Sequence, residues 1–332
     1  MTPGDRATAL QAYGFTARQA SFVTMVLLHG GVCVPRQYCA FAGITRGQVM
    51  HDFFATLTAR RFATVYPCAR KGSHVYHLHH KALYQAVGEP DSRYRRRASV
   101  ERAIERLMVL DAVLMKSDLT WLATEREKVA YCRQDRKVSE EHLPRLIFEG
   151  GGSRTVRYFP DKLPLGLSGA SDEVAILYLV TEPTGRVFRT FLESHRALLQ
   201  RLSRWRLVLV IPRVFATAEP AHRAAVTDLC AAPPRPAVVD EFRWFCGVRR
   251  TVEEGGAQGL AFDAARYGRA RRAFSTPRFF AAYREWLRGG DPALGRLVSA
   301  AFCDAWRAGT AAVETLVLPY VYADLSLLVQ TA

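Results

Sequence analysis

The sequence has no apolar run long enough to cross a bilayer. Its longest, Val174 to Val180 and Leu207 to Ile211, have the length of strands. The first ten residues, MTPGDRATAL, lack the apolar stretch of a secretory signal, so a cytoplasmic location without a membrane partner is expected. There is no C-x-x-C pair. The seven cysteines are scattered and odd in number, which predicts buried free thiols rather than a disulfide framework. Cys33, Cys39 and Cys68 lie near several histidines, but their spacing fits no familiar zinc finger, and no metal is expected. A Walker lysine loop, a dinucleotide fingerprint and a G-x-S-x-G elbow are all missing, and no cofactor is expected.

Acidic residues are also scarce. In 332 residues, 31 Asp and Glu face 46 Lys and Arg, a net charge of +15. Residues 1 to 98 hold 13 of the cations and only 4 of the acids, so +9 of the excess sits in under a third of the chain. Positive charge at this density favours an anionic partner. Without a basic amphipathic anchor helix, nucleic acid fits better than a membrane. An arginine-rich composition alone would not concentrate the charge at one end.

What is present in that third is a succession of short elements. Thr16 can cap a helix to Leu28 carrying Phe22, Val23, Val26 and Leu27, and Gly30 and Gly31 end it. Pro35 opens a second helix to Ala42, Gly43 makes a sharp turn, and Thr45 is expected to cap a third helix to about Arg60. Strands are predicted at Phe62 to Tyr66 and Val75 to His79, around a basic turn from Cys68 to Ser73. Helix, turn, helix and a two-stranded wing is the order of a winged helix-turn-helix.

At 100° per residue, Met50, Phe53, Phe54 and Leu57 share one face of the third helix. The opposite face carries Thr45, Gln48, His51, Asp52 and Ala55, with Arg46 at its N-terminal edge and Arg60 and Arg61 at its far end. Gln pairs with adenine, Arg with guanine, and Asp accepts from cytosine, so a mixed polar face suits base reading in a major groove. Arg70, Lys71, Ser73 and His74 in the wing can reach phosphates or a minor groove. Arg93, Arg95, Arg96 and Arg97 form a short arm in a linker expected to be flexible. The six histidines of residues 1 to 98 read as polar surface or phosphate contacts.

From Ser99 a long amphipathic helix runs to about Lys116, packing within the chain or forming a homodimer contact. Strands at Thr155 to Phe159, Glu173 to Thr181 and Leu207 to Ile211, with helices at Val187 to Leu202 and Ala218 to Cys230, make an α/β middle. After the proline-rich break at Ala231 to Pro236 the chain is expected to be helical, with Arg266, Arg269, Arg271, Arg272 and Arg278 on DNA-facing or merely solvated faces.

The middle contains the acids of a nuclease motif. Asp161 follows one strand and Glu182 ends the next, as in the PD-(D/E)XK core, where two carboxylates hold a divalent ion. The lysine of that motif is replaced by Thr184, which predicts an inactive relative rather than a working nuclease. The H-x-x-R of His142 to Arg145 has the spacing that tyrosine recombinases use. It lies in an apparent linker and reads as coincidence.

The stretch Thr16 to Gly88, with the strands ending at Pro160-Asp161 and Glu182, resembles the plasmid replication-relaxation family, which joins a winged helix to a nuclease-like part. The segment GFTARQASFVTMVLLHGGVCVPRQYCAFAGITRG is similar to mobile-element proteins of the transposon cointegrate resolution protein T family. That resemblance implies sequence-specific binding of double-stranded DNA at a resolution site, as an accessory to a tyrosine recombinase. A local transcriptional regulator is the alternative, and a nuclease the third. The expected fold is mixed α/β. It comprises a winged helix-turn-helix over residues 1–95, a long helix and nuclease-like α/β domain over 96–232, and a basic helical region over 233–332.

Overall fold

The computed structural model describes residues 1–68, 72–150, 153–230, 235–255, 263–298 and 305–322. Its N-terminal part opens with α1 (Pro3–Gln11), capped by Thr2, and α2 (Ala17–His29). Thr16 and Gln19 form a reciprocal capping box at the start of α2. A two-residue strand β1 (Val32–Cys33) leads to α3 (Pro35–Ala42) and α4 (Gln48–Ala59). Gly43 turns the chain between these two helices at φ 63°, a conformation in which a side chain would be strained. Then come β2 (Ala63–Pro67), β3 (His74–Leu78) and α5 (Lys81–Ala86). The strands form an antiparallel sheet in the order β1-β3-β2, with Val65 opposite Tyr76. Phe22, Tyr38, Phe53 and Phe54 pack in the core of this part with ring centroids 4.4 to 6.2 Å apart.

The second sheet has five strands in the order β10-β9-β8-β7-β4. They are β4 (Leu119–Leu122), β7 (Leu165–Ser168), β8 (Val174–Leu179), β9 (Trp205–Pro212) and β10 (Ala311–Leu318). The strands β8, β9 and β10 run parallel, β7 pairs antiparallel with β8, and β4 pairs antiparallel with β7. Helix α8 (Arg186–Leu199) makes the crossover from β8 to β9 that parallel pairing requires. Every residue of β8 is buried, as expected for a strand covered on both faces. Ile176 and Tyr178 meet α8 and α9 (Glu219–Cys230) on one face, whereas Ala175, Leu177 and Leu179 meet α6 (Val100–Met115) on the other.

Helix α6 therefore has two partners. Leu107 and Met108 share a core with β8 and β9 and with Val32 and Val75 of the first sheet, and Leu110 reaches the core of α2 to α4. Arg106 donates to the carbonyl of Gly30, and a Cβ at Gly30 would fall 2.9 Å from that of Arg106, so the close approach of α2 to α6 requires glycine. The side chain of Gln37 donates to the carbonyl of Leu107 at 2.9 Å.

Between β4 and β7 lie α7 (Glu125–Gln134) and a separate hairpin of β5 (Arg145–Gly150) and β6 (Ser153–Tyr158). Helices α10 (Pro236–Glu253), α11 (Ala264–Ala273) and α12 (Pro277–Gly289) build a further small core around Phe242, Phe245, Phe274 and Trp286.

The fold is mixed α/β, as expected, with three departures. The region 233–332 is not purely helical, because β10 returns to the main sheet and pairs with the whole of β9. The strand that precedes Asp161 is β6, which pairs with β5 and not with β8. Thr45 does not cap α4, whose N-cap position is Gly47. No helix among the described residues is long and apolar enough to cross a membrane.

Candidate nucleic-acid interface

Helix α4 buries Met50, Phe53, Phe54 and Leu57, and this apolar stripe fixes its rotation about its own axis. Gln48, His51, Asp52 and Ala55 are exposed as a result, and Thr45 and Arg46 are exposed in the turn before the Gly47 N-cap. Two of these polar residues are joined, because the Gln48 amide donates to the Asp52 carboxylate at 2.6 Å, one turn along the helix. Val49 stands among them 63% exposed, an apolar side chain without a covering partner on this side.

The two arginines at the end of α4 differ. Arg60 donates to the carbonyl of Tyr13 and stacks 5.3 Å from the Phe62 ring, so it fastens the turn before α2. Arg61 is exposed at φ 55°. Ser73 and His74 are half-buried at the start of β3, where His74 pairs with Pro67. Arg70 and Lys71 lie outside the described residues.

The expected flexible arm is folded. Ser92 caps a single turn of 3-10 helix at Arg93–Arg95, and Arg95 donates to the carbonyl of Pro90 at 2.9 Å. Tyr94 packs into the core of the first part, its carbonyl is 2.8 Å from the His77 ring, and Arg106 lies 4.9 Å over its own ring. The sequence gives no hint of this, because Tyr94 stands alone among arginines. Arg93, Arg96 and Arg97 remain exposed, the last 5.5 Å from the Tyr66 ring. Arg269, Arg271 and Arg272 are exposed on α11, whereas Arg266 is paired with Glu241 and stacked 3.9 Å from Trp244.

The histidines are not all superficial. His29 and His77 are buried, and burial pushes the His29 imidazole down to about 4. The six cysteines among the described residues are buried and take part in no disulfide there. No group of three or more His, Cys, Asp or Glu there is arranged to hold a metal ion.

Asp161 and Glu182 have separate occupations. Asp161, at the entry to β7, lies 3.3 Å from the ring of His195 on α8 and accepts from the backbone of Leu163. Burial raises its carboxyl pKa, but His195 and the nearby Lys128 outweigh that and hold it below the usual range. Lys128 on α7 is 1% exposed, donates to the carbonyl of Leu163 at 2.9 Å and lies 4.8 Å from the Phe159 ring. Burial lowers its ammonium to about 8 despite Asp161 and Glu125. Sequence reasoning missed this constellation because its members come from α7, α8 and an intervening loop. Glu182, for its part, accepts from the backbone of Thr184 and Val187 at the start of α8. His142 and Arg145 flank the entry to β5, as part of the hairpin's base.

No protein-family model, no curated protein and no solved structure matches this chain.

Proposed function

We propose that the protein binds double-stranded DNA in a sequence-specific way, with α4 lying in the major groove. The order α2, β1, α3, α4, β2, β3 follows that of a winged helix-turn-helix, in which the last helix of the three enters the groove and the hairpin flanks it. The observation that carries this reading is the outer face of α4. Gln48, His51 and Asp52 project from a helix whose other side is locked by four buried apolar residues, and Arg46 is exposed in the turn just before it. Groups able to read guanine, adenine and cytosine edges are thus held on a rigid support. Arg61, Arg96 and Arg97 supply further positive charge for phosphates.

Within this reading the protein acts as an architectural accessory of a mobile element, holding DNA for a tyrosine recombinase. The support is the resemblance of residues 14–47 to the cointegrate resolution proteins, together with the basic exposed face of α11. A nuclease role has no comparable support, since Asp161 is engaged with His195 and Glu182 with the start of α8. The test is a footprint on DNA flanking the gene, with and without a neighbouring recombinase. A long footprint at a recombination core site supports the accessory role. A single short operator at a promoter supports a transcriptional regulator instead.

A further inference from the structure

A cleft of about 1110 Å³ opens between the segment 88–94, the start of α7 and the β5–β6 hairpin. It is larger than most small-molecule sites need. Its walls are partly apolar. Leu28 and Val129 lie on them, as do Leu146 and Phe148 of the hairpin, which are 50% and 55% exposed. Phe148 presents a ring with nothing stacked on it among the described residues.

Its polar lining is weighted towards cations. Arg93, Arg126, Arg157 and Lys162 come from four different segments, and Arg102 and Arg106 of α6 also face the Lys162 ammonium. Several ion pairs elsewhere in the chain are close, as in Arg6–Glu127 at 2.6 Å and Arg133–Glu140 at 2.8 Å. In the cleft the ion pairs are long: Arg126 is 3.7 Å from Glu89 and Arg157 is 3.9 Å from Glu125. Glu125 also accepts from the backbone of Tyr158, and the third acid of the lining is Asp91. Arg93 and Lys162 have no carboxylate within ion-pair distance among the described residues. Like charges gathered from separate elements in excess of the nearby acids oppose folding, and an anion bound among them would relieve that repulsion. Burial and the four surrounding arginines together lower the Lys162 ammonium below its ordinary value.

We propose that this cleft binds a nucleoside phosphate, its phosphate held by Lys162, Arg157 and Arg93 and its base against Phe148. Guanidinium groups suit phosphate oxygens, and a free aromatic face suits a base of any identity. The ligand is either a free nucleotide or a nucleotide at the end of a nucleic-acid strand. The inference does not depend on how α4 reads a duplex.

The test is titration calorimetry of the full chain with ATP, with a short oligothymidylate and with inorganic phosphate. Three proteins are compared: wild type, the double variant Lys162→Asn/Arg157→Gln, and Phe148→Ala. All three sites are exposed, and an unchanged melting temperature establishes that each variant is folded. ATP binding weakened at least tenfold by the double variant and several-fold by Phe148→Ala supports the proposal, with a free nucleotide as source. The same pattern with the oligonucleotide and not with ATP supports it with a strand end as source. Binding of neither at millimolar concentration overturns it. So does binding that the variants leave unchanged, or ATP binding no tighter than phosphate and indifferent to Phe148. Duplex binding, measured in parallel, stays at wild-type strength in the double variant, which separates failure here from failure of the α4 reading.

Discussion

Arg36 and Asp111 form a two-point ion pair, Nη1 to Oδ1 at 2.6 Å and Nη2 to Oδ2 at 2.7 Å, that joins α3 to the C-terminal half of α6. The hydroxyl of Tyr322 donates to the same carboxylate, and the ring of Tyr320 lies 3.5 Å from the Arg36 guanidinium. The helix pair that carries the candidate DNA-reading face is thereby tied to the helix beneath the main sheet and to the chain beyond β10. Asp111 is 3% exposed, so removing its partner strands a buried charge.

Arg36→Ala is accordingly expected to cost about 3 kcal/mol or more of unfolding free energy in urea. Tyr322→Phe removes one hydrogen bond to a charged group and should cost about 1.5–3 kcal/mol. Arg36→Lys should behave like a disruptive change, since lysine reproduces neither the fork nor the stacking. Wild-type stability in all three would refute this coupling.

His29 sets an acid limit. Its folded-state value of about 4 lies below the ordinary 6.5. Between those values the unfolded chain binds the proton and the folded chain does not, so stability falls as pH drops through 6.5 towards 4 and is unaffected by this group above that window. The loss by pH 4 is about 3 kcal/mol. Urea melts from pH 7 to 4.5 should show proton uptake on unfolding that is smaller in His29→Gln. Equal pH slopes in the two proteins would place the acid sensitivity elsewhere.

Asp161 should matter for stability and not for cutting DNA. Asp161→Asn removes the charge beside His195 and leaves Lys128 buried with less compensation, a loss of about 2 kcal/mol or more. Supercoiled plasmid should stay intact with either protein in magnesium or manganese. Nicking by wild type that disappears in the variant would restore the nuclease reading.

The elements legible in the sequence were those whose signals are local. Thr16 and Ser99 do cap their helices through hydrogen bonds to Gln19 and Arg102, and β8 and β9 lie where unbroken apolar runs appear. The rest depend on distant partners. Helix α7 reads as polar because only Lys128 and Cys132 turn inward, and α1 buries only Arg6 and Leu10. Strand β10 has just its two end residues fully buried, and its place in the sheet comes from pairing with β9, about a hundred residues earlier in the chain. At the candidate interface, the α4 face followed from helical periodicity. The fates of Arg60 and Tyr94 did not, since both are set by contacts made across the fold.

Salt dependence checks the electrostatic part of the DNA reading. With several phosphates neutralised, the logarithm of the binding constant should fall against the logarithm of salt concentration with a slope of about −0.9 per contact. A slope near zero would rule out the charge-based component.

The central claim is that the exposed face of α4 reads base sequence, and fluorescence anisotropy with a footprinted site and a scrambled duplex tests it most directly. Arg46→Ala and Gln48→Ala should each weaken binding to the cognate site by about 1–3 kcal/mol, with little change for the scrambled duplex. Because Gln48 is held by Asp52 in the free protein, Asp52→Ala should relax preference at the base that Gln48 contacts. Equal losses on both duplexes in the Arg46 and Gln48 variants, or no loss on either, would contradict the account.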